Sequence, residues 1–180
     1  MTAVASSVST SSGAIVFTDI VGFTELTEAH GDDVALSLVE RQERAVHASL
    51  PAGARVIKAL GDGMLLWFER ADEAIVASVR LQAEIDADGA DDDALPLWVR
   101  TGVHWGTPRW RGDDIIGRDV NLASRVTALA AAREVLCTDV VVARAGPMPG
   151  IELTSLGSVY VKGIVDAVPV LRAERLTVEG

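Results

Sequence analysis

The clearest pattern in the chain is a pair of apolar runs separated by a short polar turn. Residues 56–68 contain both runs, with Gly61-Asp62-Gly63 between them. Glycine tolerates the positive φ of a tight turn, so Asp-Gly between two apolar runs predicts a β-hairpin with a carboxylate at its tip. Lys58 is the only charged residue of the first run, and a lysine inside an apolar strand usually has a partner. We therefore expect an anionic group close to Lys58.

A second buried-strand pattern covers residues 13–20, which are rich in β-branched and aromatic side chains and include Asp19 near the end. A glycine and a helical stretch follow, for which Thr24 or a neighbouring residue is the natural N-terminal cap. A strand that leads through a glycine into a helix presents free backbone N–H groups, and such groups bind anions. Because an acid at a strand end is also common in ordinary turns, Asp19 gains significance only if a second carboxylate converges on it.

The remaining pattern predicts an α+β fold. Apolar positions at helical spacing predict helices over residues 34–49, 71–86 and 118–132. Apolar or alternating runs predict strands at 95–106, 107–112, 134–138, 151–153, 157–163 and 167–172. The first part of this order matches a ferredoxin-like β-α-β-β-α-β core, to which C-terminal strands and a helix are added. We expect one domain over residues 14–173, after a disordered lead-in at 1–13 and before a tail at 174–180.

Composition and charge narrow the class of protein. The 180 residues include 16 basic and 26 acidic side chains, for a formal net charge of −10. This charge argues against broad contact with nucleic acid or an anionic membrane. A single cysteine, Cys137, excludes an intrachain disulfide and indicates a reducing compartment. We therefore predict a cytoplasmic protein, which can bind a small polyphosphate only where metal ions or a few cations neutralise it.

Three further features permit more than one interpretation. His104 has no second histidine or cysteine at metal-ligand spacing, so we interpret it as a buried strand histidine. Residues 105–111 hold two tryptophans and two arginines and could form a protruding hairpin that contacts a partner chain. Asn121 and Arg125 are four residues apart and share one helix face. An amide and a guanidinium in this arrangement suit a sugar and a phosphate, and they equally suit a solvated surface.

Four short segments resemble the catalytic domain of class III nucleotidyl cyclases. They occur in the family's order and with its internal spacing, at residues 17–24 (FTDIVGFT), 58–63 (KALGDG), 114–125 (DIIGRDVNLASR) and 161–163 (VKG). The resemblance extends over almost the whole chain. It implies the class III cyclase fold and, more narrowly, a bacterial adenylate cyclase of the soluble single-domain kind. Such an enzyme converts ATP to 3′,5′-cyclic AMP and pyrophosphate.

The resemblance also implies a site with two divalent cations, Mg²⁺ or Mn²⁺. Asp19 and Asp62 match the two carboxylates that bind these cations, and the backbone carbonyl of Ile20 matches an additional ligand. The turn that includes Phe23 and Thr24 would bind the triphosphate through backbone amides. The free amides that the residues alone predict at this helix start agree with that role.

Base recognition is assigned by the resemblance to Lys58 and Asp114, assisted by the backbone of Ile115. A lysine donor suits adenine N1, and an aspartate accepts from the exocyclic amine. Guanine reverses this pattern of donor and acceptor, and polar sites reject such mispairing strongly. Guanylyl cyclases typically carry Glu and a small residue or Cys at the two positions, from which this sequence departs. The expected substrate is ATP.

The last group of matched residues surrounds the ribose and the phosphates. Asn121 matches the residue that orients the ribose, Arg125 the one that stabilises charge on the attacked phosphate, and Lys162 a contact to the terminal phosphates. The family places its sites between the two chains of a head-to-tail dimer, so the resemblance implies a homodimer. Two alternatives remain: a cyclase-like module that binds nucleotide without turnover, and a guanylate cyclase. Modules of the first kind usually lack one of these functional residues, and this chain retains them all.

Overall fold

The computed structural model describes residues 9–89 and 95–176. Ten strands and five helices are found in these residues, and their labels follow chain order. They are β1 (Ser9–Thr10), β2 (Gly13–Ile20), α1 (Phe23–His30), α2 (Asp32–Ser49), β3 (Arg55–Ala59), β4 (Gly63–Phe68), α3 (Ala71–Asp88), β5 (Val99–Gly106), β6 (Arg109–Arg111), β7 (Asp114–Ile116), α4 (Arg118–Leu129), β8 (Val135–Thr138), α5 (Asp139–Ala145), β9 (Ile151–Val159) and β10 (Val168–Arg175).

Seven strands form the central sheet, in the order β3-β4-β2-β5-β8-β10-β9. Strands β5 and β8 are parallel, and the other neighbours are antiparallel. Strand β2 pairs with β4 on one side and with β5 on the other over nearly its whole length. The predicted α+β fold is confirmed, and so is the hairpin, formed by β3 and β4.

The sheet separates a larger apolar core from two smaller ones beside α4, and successive strand residues alternate between the two faces. In β2, Ala14 and Val16 belong to the larger core, which α2 and α3 cover, whereas Ile15 belongs to one of the smaller cores. In the same way, Leu66 of β4 faces the larger core and Leu65 faces the same smaller core as Ile15. Side chains of successive strand residues point to opposite faces, so strands buried on both faces appear in the sequence as unbroken apolar runs.

The tryptophan-rich segment does not protrude as the sequence suggested. Trp110 is buried, its ring packs edge-on against Trp67 at 5.2 Å, and the Arg55 guanidinium lies 4.3 Å from its centroid. Strand β6 also pairs with β1 and β7 in a small three-stranded sheet. Ser9 and Thr10, within the predicted lead-in, form β1, and residues 1–8 lie outside the described residues.

Several local predictions were wrong. Helix α1 begins at Phe23, and its N-cap is Gly22 in a left-handed conformation without a side-chain hydrogen bond, so neither Thr24 nor a neighbouring side chain caps the helix. Helix α5 was not predicted, because its run of three valines indicates no helix. Residues 151–159 form one strand, and Lys162 lies in a turn after it. Strand β10 extends to Arg175, inside the predicted tail, whose last four residues are outside the described part.

Within residues 9–89 and 95–176, none of the helices combines the length and the apolar character needed to cross a membrane.

Candidate active site

Two carboxylates lie side by side where β2 ends and the β3–β4 turn begins. Asp19 pairs with Gly63 in the β2–β4 register, and the amide of Ile20 donates to the carbonyl oxygen of Asp62 at 3.0 Å. Burial raises the pKa of the Asp62 carboxyl above its ordinary value, and the nearby Asp19 carboxylate raises it further. We call Asp19, Ile20 and Asp62 the acidic edge. Its two like charges favour the presence of a cation.

Glycines at the hairpin tip allow this close approach. Gly61 has φ +74°, a conformation that suits glycine. A Cβ atom on Gly63 would overlap the carbonyl oxygen of Thr18, the residue before Asp19. The Gly-Asp-Gly sequence therefore sets the distance between the turn and the end of β2.

An arginine that the sequence analysis missed contacts the acidic edge. Arg100 of β5 is opposite Asp19 in the β2–β5 register, and its Nε and Nη2 atoms donate to Oδ2 of Asp19 at 2.7 and 2.6 Å. The two residues line a cavity of about 240 Å³ between β2 and α4. The sequence did contain a signal for this contact: Arg100 is a charged residue within a predicted strand, as Lys58 is, and such a residue usually has a partner of opposite charge. A guanidinium that lines a cavity can hold an anion such as a phosphate.

Lys58 and Asp114 form an ion pair between β3 and β7. The Lys58 Nζ atom lies 2.8 Å from each carboxylate oxygen of Asp114, and the two side chains are 39% and 41% exposed. The amide of Ile115 donates to Asp114 Oδ1 at 2.8 Å. The hydrogen bond from Lys58 is the largest cause that lowers the pKa of the Asp114 carboxyl. The anionic neighbour expected from the lone lysine is thus present, and both groups remain open to a ligand.

A β-bulge in β3 contributes to this geometry. Val56 pairs with Leu66 and Lys58 pairs with Leu65, so Ile57 is the additional residue. A bulge redirects the side chains that follow it. The bulge could not be read from the sequence, in which residues 56–60 form a continuous run.

Helix α4 carries Asn121 and Arg125 on its outward face. The helix buries Val120, Ala123 and Val126 against the sheet, which leaves Asn121 exposed and Arg125 partly exposed. Neither of these two side chains forms a hydrogen bond or an ion pair with another described residue. They are free to contact a ligand.

The turn that contains Lys162 lies against Arg125. The amide of Ile164 donates to the carbonyl of Val161 at 2.9 Å, and Gly163 has φ +77°. A Cβ atom on Gly163 would lie 2.9 Å from Arg125 Nη1. We call Asn121, Arg125 and Lys162 the α4 face. No hydrogen bond or ion pair between described residues joins it to the acidic edge.

The helix start at Phe23 and Thr24 follows directly from the acidic edge. Gly22 adopts φ 73° and turns the chain into α1, and the Leu26 amide donates to the Gly22 carbonyl at 2.9 Å. The first amides of a helix have no acceptor within the helix. Those of Phe23 and Thr24 can therefore donate to an anion near Asp19.

The acidic edge fits divalent cations that arrive with a phosphate ligand. No group of three or more His, Cys, Asp or Glu side chains suited to a metal occurs in the part of the chain that the structure describes. Mg²⁺ is commonly held by one or two carboxylates together with substrate phosphates. Asp19, Asp62 and the Ile20 carbonyl supply the hard oxygen donors that such ions prefer.

The chain belongs to the family described as the adenylate and guanylate cyclase catalytic domain, which matches residues 6–171. One relative is an adenylate cyclase of Streptomyces griseus, 37% identical over 115 residues. That match covers 63% of this chain and 28% of the relative. The chain therefore corresponds to less than a third of that longer protein.

Solved structures share the fold. The adenylyl cyclase CyaB from P. aeruginosa has a TM-score of 0.73 and 23% identity, with 95% of this chain and 97% of that chain covered. The guanylate cyclase domain of RhGC from Catenaria anguillulae, solved in complex with GTP, has a TM-score of 0.75 and 16% identity, covering 92% and 97%. Because adenylyl and guanylyl cyclases both match, the fold does not decide which nucleotide is used.

Proposed function

We propose that the chain is the catalytic domain of an adenylate cyclase, which converts ATP to 3′,5′-cyclic AMP and pyrophosphate. The observation that carries this proposal is the ion pair of Lys58 and Asp114, accessible and only 2.8 Å apart. Adenine presents an acceptor at N1 beside a donor at N6, which is the complement of an ammonium and a carboxylate. Guanine presents the opposite pattern on this edge, so GTP would leave both side chains mispaired.

The acidic edge would hold two divalent cations, Mg²⁺ or Mn²⁺, through Asp19, Asp62 and the Ile20 carbonyl. When bound, such ions lower the pKa of the ribose 3′-hydroxyl and neutralise the leaving pyrophosphate. The amides of Phe23 and Thr24 donate to the triphosphate. Arg100, which neutralises Asp19 in the free protein, supplies a further cation beside the same phosphates.

The α4 face would act on the reacting end of ATP. Asn121 orients the ribose so that O3′ is in line with the α-phosphorus, Ile115 supports the base through its backbone, and Lys162 contacts the terminal phosphates. The 3′-hydroxyl gives up its proton to Asp19, to solvent or to the substrate, and the O3′–Pα bond forms while the bond from Pα to the pyrophosphate oxygen breaks. Arg125 donates to the phosphate oxygens on which negative charge accumulates during this step.

A complete site would combine two copies of the chain, in a homodimer with two equivalent sites. Among the described residues, no hydrogen bond or ion pair engages the side chains of the α4 face or joins them to the acidic edge of the same chain, which supports this arrangement. An Asp19→Ala chain could then supply only the α4 face, and an Arg125→Ala chain only the acidic edge. The cytoplasmic location remains a prediction, as does the absence of a nucleic-acid or membrane partner.

Product analysis tests the proposal. The chain is incubated with ATP or GTP and with Mg²⁺ or Mn²⁺, and cyclic AMP, cyclic GMP and pyrophosphate are measured. We expect cyclic AMP and pyrophosphate in equal amounts. Cyclic GMP as the main product would instead support a guanylate cyclase. A folded chain that binds ATP and yields no cyclic nucleotide with either metal would support the non-catalytic module.

A further inference from the structure

Helix α2 places one amide side chain beneath the acidic edge. Gln42 is 1% exposed, and its neighbours on the buried face of α2 include Leu38 and Val46. Its Nε2 atom donates to Oγ1 of Thr18 at 3.0 Å, and Thr18 is itself 2% exposed. Both polar groups lie on the side of the sheet that otherwise forms the larger apolar core.

This side chain contacts both segments that carry the acids. The Thr18 hydroxyl oxygen also accepts from the amide of Met64 at 3.2 Å, which ties β2 to β4 directly after the hairpin turn. Gln42 Nε2 lies in addition 3.4 Å from the carbonyl oxygen of Asp62, a longer and weaker contact. One amide group therefore links the residue before Asp19 to the backbone of Asp62.

The arrangement has an energetic cost. A buried amide loses its hydrogen bonds to water, and an unsatisfied polar atom in an apolar core is destabilising. The Oε1 atom of Gln42 has no hydrogen-bond partner among the described residues. An apolar side chain of similar length would fill the same space without this cost. The amide is thus better explained by its hydrogen bonds to Thr18 and to the Asp62 backbone than by core packing.

We propose that Gln42 is a positioning residue for the acidic edge. It fixes the backbone at Thr18 and at Asp62, and so sets how Asp19 and Asp62 approach each other on the opposite side of β2. Groups that orient metal ligands typically change metal affinity by 10–100-fold when they are removed. The inference rests on the proposed function in one respect, namely that these two carboxylates bind divalent cations.

Metal binding without turnover provides the first test. Gln42→Met keeps the length of the side chain and removes the hydrogen bonds. Free Mn²⁺ is measured by electron paramagnetic resonance in the presence of 3′-deoxy-ATP, which cannot cyclise. We expect about tenfold weaker Mn²⁺ binding. Ser78→Ala is the matched control, because it removes a buried hydroxyl whose one hydrogen bond among the described residues goes to the Ala74 carbonyl of its own helix. An affinity within twofold of the parent's in Gln42→Met would overturn the proposal.

A second pair of variants keeps the test decisive if Gln42→Met does not fold. Thr18→Val removes the acceptor that joins Gln42 to the Met64 amide, whereas Thr18→Ser retains it. We expect weaker Mn²⁺ binding in Thr18→Val and near-parent binding in Thr18→Ser. Equal binding in the two variants would contradict the role of the hydroxyl in this network.

Mixed dimers separate positioning from general destabilisation. In the first mixture, Gln42→Met is added to the Arg125→Ala chain, which supplies the acidic edge of the single intact site. In the second mixture, it is added to the Asp19→Ala chain, which supplies only the α4 face of that site. We expect the metal concentration for half-maximal cyclic AMP formation to rise about tenfold only in the first mixture. The same rise in both mixtures would indicate loss of stability and overturn the proposal. If the parent binds Mn²⁺ and makes no cyclic nucleotide, the proposed function is wrong. The Mn²⁺ affinities of the Gln42 and Thr18 variants then test the positioning role of Gln42 by themselves.

Discussion

The acidic edge and the α4 face are built in opposite ways. Asp19 and Asp62 are held by strand pairing, by the Ile20–Asp62 backbone hydrogen bond and by buried side chains beneath the sheet. Asn121 and Arg125 project from the outside of a helix whose other face is buried. Metal ligands need a fixed separation, so a rigid support suits them. In their proposed role, Asn121 and Arg125 contact a substrate that is bound to the acidic edge of a second chain. Such side chains must be accessible, and the outer face of a helix makes them so.

We expect the largest effect from a substitution that removes a side chain of the α4 face and leaves the acidic edge intact. Arg125→Ala should lower kcat by about 100- to 1000-fold, since the lost donor acts on charge that develops in the transition state. Mn²⁺ binding at the acidic edge should remain unchanged. Arg118→Ala, which removes another arginine of α4, serves as the control and should keep most of the activity. Equal losses in the two variants would show that the helix, rather than the Arg125 side chain, was responsible.

The next effect concerns the ion pair of Lys58 and Asp114, which belongs to neither the acidic edge nor the α4 face. Lys58→Glu combined with Asp114→Cys should lower the ratio of kcat/KM for ATP to that for GTP by at least about tenfold, because the donor and the acceptor are exchanged. Lys58→Met alone should lower activity with ATP and give no gain with GTP. If the double variant keeps the parent's preference, another part of the site selects the base.

A smaller effect is expected at the turn beside Arg125. Gly163→Ala adds a Cβ atom 2.9 Å from Arg125 Nη1 at a position with φ +77°, so we expect kcat to fall about tenfold through displacement of the guanidinium. Gly157→Ala is a matched control, since Gly157 has φ +83° and, apart from its chain neighbours, no described residue has an atom within 4 Å of the added Cβ. Backbone strain alone would lower both variants equally.

The smallest effect is a change in stability with pH. His104 is buried, with Nδ1 3.0 Å from Thr138 Oγ1 and Nε2 3.6 Å from Asp119 Oδ1. Burial is the largest cause and lowers its pKa, although the Asp119 carboxylate opposes the shift. The unfolded chain therefore binds a proton at a higher pH than the folded chain, and stability falls as pH drops below about 6.5, the ordinary histidine value.

Denaturant unfolding at pH 7.5 and at pH 5.5 measures this effect. His104→Gln should lose less stability than the parent between the two values, because the glutamine does not titrate. An identical loss in parent and variant would show that other groups cause the pH dependence. The interpretation of His104 as a buried strand histidine agrees with its surroundings.

Local chemistry explains what could be predicted from the sequence. The β3–β4 hairpin, the strand that ends near Asp19 and the core-facing side of α4 each follow from the residue pattern of one short segment. A lysine in an apolar run was sufficient to predict a nearby anion, and Asp114 fills that role. The roles of the site residues themselves stay predictions.

Contacts between distant segments explain what was missed. Arg100 meets Asp19 only because β5 pairs with β2, and Gln42 meets Thr18 only because α2 packs on the sheet. Trp110 is buried because β1 and Trp67 cover it. The charged residue in β5 was a usable signal, whereas a glutamine within an amphipathic helix resembles any surface residue. Long-range pairing cannot be read from a local pattern.

The central claim is that the acidic edge of one chain works with the α4 face of another. The most direct measurement mixes equal amounts of Asp19→Ala and Arg125→Ala chains and records cyclic AMP formation from ATP. Random pairing gives half mixed dimers, each with one intact site of two, so we expect about one quarter of the parent's activity from two nearly inactive chains. An active parent with no recovery in the mixture would contradict the claim.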